Sequence, residues 1–239
     1  INYTIMLPAY AKIKIENKFG DVYLDDRDGD FNLILSYGDL KANNLNGNKN
    51  SITLNSCDAE INEINEGKIT VAYGNLHVIN AQKLSISSRS SNLNIDKIND
   101  LTMSSRRDKI YLPNVRSLNG DSYFSEFSLL GLREELNFTF RYGKLNIENI
   151  EKNFSFINVN SEYTDIRLTF ARGSVYDVDI THHQDVVLSY PRSLANLTEK
   201  VINAQEKLKA TFGKIGSGTS DSRLTITAPR KCIITITHK

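Results

Sequence analysis

The alternation of apolar and polar positions along the chain is not random. Aligning the tripeptide Gly38-Asp39-Leu40 with Gly74-Asn75-Leu76 brings out a column of apolar residues: Val22, Leu40, Ala59, Leu76, Leu93, Ile110, Phe127, Leu145 and Ile166. Their successive spacings are 18, 19, 17, 17, 17, 17, 18 and 21. Two residues after each lies a second column, Leu24, Ala42, Ile61, Val78, Ile95, Leu112, Leu129, Ile147 and Leu168. Period two is the mark of a strand with one buried face. A third column runs Leu45, Ile64, Ala81, Ile98, Val115, Leu132 and Ile150. A fourth reads Leu33, Ile52, Ile69, Leu84, Leu101, Leu118, Leu136 and Phe154. It repeats two residues on as Leu35, Leu54, Val71, Ile86, Met103, Phe138 and Phe156, broken only at Gly120. The best-formed unit, Leu93 to Met103, reads L-x-I-x-x-I-x-x-L-x-M.

The period selects the architecture. Helical repeats need about 33 residues or more, and the shortest leucine-rich repeats about 20 with an Asn or Cys after the strand. Coils of about 17 residues are too short for a helix and two turns, so the pattern predicts an all-β, single-stranded parallel β-helix, a solenoid whose coils stack at about 4.8 Å. The expected organisation is one domain over 1-239, with an N-terminal strand or cap over 1-17, repeat coils over 18-190, and an irregular segment with a closing coil over 191-239. Ile1, Tyr3, Ile5 and Leu7 alternate as in a strand, so the start reads as a trimmed or processed terminus. Between Pro191 and Phe212 a helical stripe (Leu194, Leu197, Val201, Ala204, Leu208) competes with strand-forming Thr198, Val201 and Ile202, and extended structure is preferred. A turn at Gly213 to Gly218 then leads to Leu224, Ile226 and an alternating run, Cys232, Ile234 and Ile236, which reads as the last coil.

Composition narrows the function classes. Over 239 residues, 29 Lys+Arg against 28 Asp+Glu leave a formal charge of +1. This balance gives no electrostatic case for a nucleic-acid or anionic-membrane partner. No run approaches the roughly 18 apolar residues of a membrane span. Cys57 and Cys232 match neither a zinc site nor a CxxC redox motif, and leave a disulfide open. No P-loop, dinucleotide fingerprint, G-x-S-x-G elbow or HExxH helix is present, so no catalytic residue, metal ligand or cofactor is assigned.

The runs Leu7-Pro8, Asn17-Lys18-Phe19-Gly20-Asp21-Val22, Leu35-Ser36-Tyr37-Gly38-Asp39-Leu40 and Ala72-Tyr73-Gly74-Asn75-Leu76 resemble the adhesin-like β-helix family of exported proteins common in Bacteroidota. The likeness covers nearly the whole chain through the repeated aromatic-Gly-Asp/Asn-apolar signature, which lapses at Ser56, Ser90 and Arg107. It implies a β-helix and export to the periplasm, the outer-membrane surface or the extracellular space. It brings no catalytic residues with it.

Three constellations stand out. An acidic column, Asp21, Asp39, Asp58, Asn75, Asn92, Glu126 and Asp165, interrupted by Lys109 and Lys144, invites Ca²⁺, yet the calcium nonapeptide is missing and turn chemistry accounts for short polar residues after a Gly corner. The aromatic column Phe19, Tyr37, Tyr73, Phe124, Tyr142 and Tyr163 falls two residues after an inward column, which predicts core packing rather than a sugar-stacking strip. Adjacent His182 and His183 would face opposite ways in a strand, so both are read as solvent-exposed rather than as ligands of one metal. Four residues before the first apolar column stand Arg89, Arg106, Tyr123 and Arg141, an outward line flanked by serines that is a candidate ligand strip. The preferred, plainer reading is a solvated face in which the arginines pair with Glu126 or Asp108. The expected function is a non-enzymatic, exported cell-envelope protein, binding or structural, that engages a glycan or protein along the solenoid side. The alternative is a polysaccharide lyase or hydrolase, and a mechanical spacer is a third possibility.

Overall fold

The computed structural model describes residues 3–239. Its strands stack into a parallel β-solenoid of about nine turns with roughly 18 residues per coil, and among the described residues the only helical element is a 3-10 turn at Arg192–Leu194. Among the described residues no helix is long and apolar enough to cross a membrane. The first column is in register from coil to coil, Val22 on Leu40, Leu40 on Ala59 and Ala59 on Leu76, onward to Leu145 on Ile166. Its residues and those of the second and third columns form one continuous apolar core along the solenoid axis. Each coil buries a few large side chains at about 1.5–3 kcal/mol apiece, which no single coil could turn into stability without its neighbours.

The fourth column needs correction. Ile69 pairs with Ile86, not Leu84, and Val71 pairs with Ser88, not Ile86. The middle coils therefore turn Ser88, Ser105 and Ser122 inward, in register with Leu54 and Val71 on one side and Phe140 on the other. Farther on, Leu136 pairs with Ile157 and Phe138 with Val159. Phe154 is buried elsewhere, edge-on to Tyr176, and Phe156 is exposed. A shift of two residues preserves which face points inward, so apolar matching alone cannot detect it.

The chain turns a corner after the second strand of each coil through a residue in the left-handed region: Phe19, Tyr37, Ser56, Tyr73, Ser90, Arg107, Phe124, Tyr142 and Tyr163, with φ from 51° to 62°. A small or polar residue follows each one. At Gly74 a Cβ would stand 2.0 Å from the Cys57 carbonyl oxygen, so only glycine lets the backbones approach this closely.

Both ends depart from simple stacking. Strand Ile13–Lys18 opens the first coil, while residues 3–8 form no strand and are exposed; Ile1 lies outside the described residues. At the other end, Ala195–Asn203 and Leu208–Ile215 form an antiparallel hairpin on Tyr176–His183, in line with the extended reading. The segment read as the last coil is not outermost. Arg223–Ala228 lies between Phe156–Phe170 and Tyr176–His183, and Ile233–His238 lies between Phe156–Phe170 and Val187–Ser189. The C-terminal strands thus fill a slot between two coils made earlier in the chain.

Candidate functional site

The corner carries the most distinctive chemistry. On the strand side of it, Ala72, Arg89, Arg106, Tyr123, Arg141 and Glu162 are in register on successive coils, so the four residues expected to form a line do so. Their surroundings differ. The Arg89 guanidinium lies 4.8 Å from the centre of the Tyr73 ring, a cation–π distance. Arg141 reaches Glu162, with Nε 3.6 Å from Oε1. Tyr123 packs edge-on against Phe124 and Tyr142, at ring-centre distances of 4.6 and 5.5 Å. Among the described residues, Arg89, Arg106 and Arg107 form no ion pair, whereas Arg116 is held between Asp100 and Glu134, whose hydrogen bonds raise its pKa.

Neither expected acidic partner is available to these arginines. Glu126 makes no ion pair among the described residues, and Asp108 is only 2 % exposed. Asp108 accepts hydrogen bonds from the Ser88 hydroxyl (2.6 Å), the Ser105 hydroxyl (2.6 Å), the Ser91 N–H (2.8 Å) and the Arg106 N–H (2.9 Å). Its carboxylate braces the corner from within and leaves the guanidinium groups of Arg89, Arg106 and Arg107 without an acidic partner among the described residues.

The aromatic column also corrects its expectation. All six rings are exposed, from 39 % for Tyr142 to 72 % for Phe19. The alternation that would bury them holds only while consecutive residues are extended, and a residue at φ near +57° redirects its side chain outward. Its N–H is still satisfied: that of Tyr73 donates to the Arg89 carbonyl and that of Arg107 to the Tyr123 carbonyl of the next coil. The rings stack along the axis, Phe19 on Tyr37 at 5.2 Å, Phe124 on Tyr142 at 4.9 Å and Tyr142 on Tyr163 at 5.1 Å. Each non-glycine residue in this region costs on the order of 1 kcal/mol. The sequence pattern places Arg107 at this same corner position but gives it no part in the arginine line, and it does not predict the exposure of the column. The available signal was the small residue that follows each member of the column.

Beyond the corner lies a shallow trough of about 860 Å³ whose polar lining includes Asp58, His77, Asn92, Lys109 and Tyr111. Its acidic column is a hydrogen-bonded ladder: the Asn75 amide donates to Asp58 (2.7 Å) and the Asn92 amide to Asn75 (2.8 Å). His77 faces Asp96 at 3.0 Å. Among the described residues no group of three or more His, Cys, Asp or Glu could hold a metal ion.

The remaining reactive groups are inward. Cys57 and Cys232 are free and buried, and burial pushes the Cys232 thiol up to about 11. His182 is buried rather than solvent-exposed, with Nε2 3.2 Å from the Thr211 hydroxyl. His238 sits 3.0 Å from the Tyr176 hydroxyl; burial lowers the histidine and raises the tyrosine from their ordinary values.

No protein-family model, curated protein or solved structure matches this chain.

Proposed function

We propose that the chain is an exported cell-envelope or surface protein of the adhesin-like β-helix kind, non-enzymatic, which engages an extended glycan along one side of the solenoid. The observation that carries this reading is the corner strip: exposed aromatic rings on most coils and, on the two coils between Tyr73 and Phe124, the guanidinium groups of Arg89, Arg106 and Arg107, which form no ion pair among the described residues, all set at the coil spacing of about 4.8 Å. Pyranose rings present apolar C–H faces that suit exposed aromatic rings, and hydroxyl groups that suit arginine and the adjoining Asp58–Asn75–Asn92 ladder. A strip one residue wide matches a linear polymer better than the broad patch a folded protein partner requires. Export follows from the family resemblance and is proposed with it.

The test is retention on a panel of immobilised envelope and extracellular polysaccharides, run alongside an assay for new reducing ends and unsaturated uronates. Retention without product is expected, together with its loss in the double variant Tyr73→Ala, Tyr142→Ala at unchanged strand content. Retention indifferent to the double variant would remove the corner as the site. Product formation would establish the lyase or hydrolase alternative.

A further inference from the structure

The corner column is not uniform, and its irregularity is informative. Between Tyr73 and Phe124 the aromatic run is interrupted by Ser90 and Arg107. In the same two coils the neighbouring column holds Arg89 directly opposite Arg106. Like charges directly opposite on adjacent strands destabilise a sheet, and Arg107 adds a bulky residue in the left-handed region, where such residues are rare. Both unfavourable features fall at one place, in a chain whose overall charge is only +1. The one buried carboxylate beneath, Asp108, already accepts four donors from serines and backbone.

We infer that Arg89, Arg106 and Arg107 form a subsite for the carboxylate or sulfate of an acidic sugar, bracketed by Tyr73 on one side and, on the other, by Phe124, which is itself stacked on Tyr142. This rests on the glycan reading above and narrows it to an acidic polysaccharide. Guanidinium forks match planar carboxylate and sulfate oxygens with paired hydrogen bonds, and an anion there relieves the repulsion between Arg89 and Arg106. Between Tyr73 and Arg107 the corner column holds only the short side chain of Ser90, which competes least with such a group for space. Tyr73 serves twice, because the guanidinium of Arg89 already lies against its ring. A single-stranded nucleic acid also combines anions with stacking faces. It carries a phosphate at every unit, however, and here the basic cluster is confined to two coils, with Asp58 on the coils before it and Glu126 and Glu162 on the coils after it.

Calorimetric titration of the whole chain with polygalacturonate, chondroitin sulfate, neutral dextran and oligo(dT) tests the inference. At least one acidic polysaccharide is expected to bind roughly tenfold or more tightly than dextran, with affinity falling as salt rises. The two acidic probes distinguish carboxylate from sulfate, and preference for either supports the subsite. In the double variant Arg106→Ser, Arg107→Gly, acidic binding should fall to the dextran level; glycine suits the left-handed corner, so the fold is kept, as circular dichroism would verify. Unchanged acidic binding in that variant, with loss in Tyr73→Ala, Tyr142→Ala, would overturn the acidic subsite and leave the glycan reading standing. Absence of binding to every polymer, or binding indifferent to both double variants, would overturn both. Oligo(dT) binding as tightly as the acidic polysaccharides would reassign the cluster to nucleic acid and overturn the inference.

Discussion

At the scale of single residues, Asp108 shows how a polar group can be built into an apolar solenoid. Its two oxygens accept from two hydroxyls and two backbone N–H groups on two coils, and its own N–H donates to the Ser125 hydroxyl on a third, so the buried carboxylate is matched by four donors. Replacing it with alanine strands the Ser91 and Arg106 N–H groups in a dry corner. Asp108→Ala should therefore destabilise by about 3 kcal/mol and Asp108→Asn by about 1 kcal/mol, since the amide keeps one acceptor oxygen. Urea denaturation measures both; an Asp108→Ala midpoint equal to wild type would show that the network contributes nothing. His238 supplies a second residue-level prediction. Burial lowers its pKa below the ordinary 6.5, and its Nδ1 is buried without a hydrogen-bond partner. Between the lowered value and 6.5 the unfolded chain holds more protons on this group than the folded protein does. Its contribution is thus fully present above pH 6.5 and declines as the pH falls through that window. Melting temperature against pH should show this decline flattened in His238→Gln, and an identical profile in the two proteins would refute it.

At the scale of strands and coils, the sequence was legible wherever pairing and face were the same question. The first three apolar columns appear in the structure residue for residue, and so does the line from Arg89 to Arg141, because a constant offset from a correct column transfers without error. The fourth column slipped by two at Leu84, since a two-residue shift leaves every side chain on its own face and exchanges Ser88 for Ile86 without any penalty visible in the pattern. The rings from Phe19 to Tyr163 were placed inward because period two was extended through a residue whose backbone is not extended. The inserted C-terminal coil was illegible for another reason: periodicity identifies a coil but not its place in the stack. That coil pairs on both sides and buries Leu224, Ile226, Ala228, Cys232, Ile234 and Ile236. Deleting residues 219–239 should leave an open slot with unpaired strand edges and the core around Phe170 and Tyr176 uncovered, read as dye binding and a lower melting temperature. A synthetic peptide of residues 219–239 should reverse both effects. Wild-type melting of the truncated chain would show that the insertion is ornamental to the fold.

For the whole molecule, stability is close to a sum over neighbouring coils, so the ends decide where unfolding starts. The two ends are built differently. At the C-terminal end the hairpin of Ala195–Asn203 and Leu208–Ile215 presents an outer strand of mixed character, with Glu199 and Lys209 paired at 2.7 Å beside exposed Val201 and Ile202. At the N-terminal end, strand Ile13–Lys18 has one neighbour, Phe31–Ser36, and Ile13 and Ile15 are only half-buried. The short segment before the strand is tied to the first coil by hydrogen bonds. The N–H groups of Asp28 and Gly29 donate to the Ala9 carbonyl, and the buried guanidinium of Arg27 donates through Nη2 to the Ala11 carbonyl at 2.6 Å. Arg27 makes no ion pair among the described residues and its Nε is without a partner, so this lock is a single hydrogen bond on a poorly compensated buried charge. The first coil is accordingly the weakest, and among strand amides hydrogen exchange should be fastest within residues 13–24 and slowest for Asn75–Arg89 and Asn92–Arg106, which are paired on both sides. Arg27→Ala should speed exchange in residues 13–24 by roughly tenfold, the equivalent of about 1.4 kcal/mol for one lost hydrogen bond, while leaving the middle coils unchanged. Uniform acceleration along the chain would mean that the solenoid opens as one cooperative unit. Exchange that begins in the hairpin would mean that the C-terminal end is the weaker of the two.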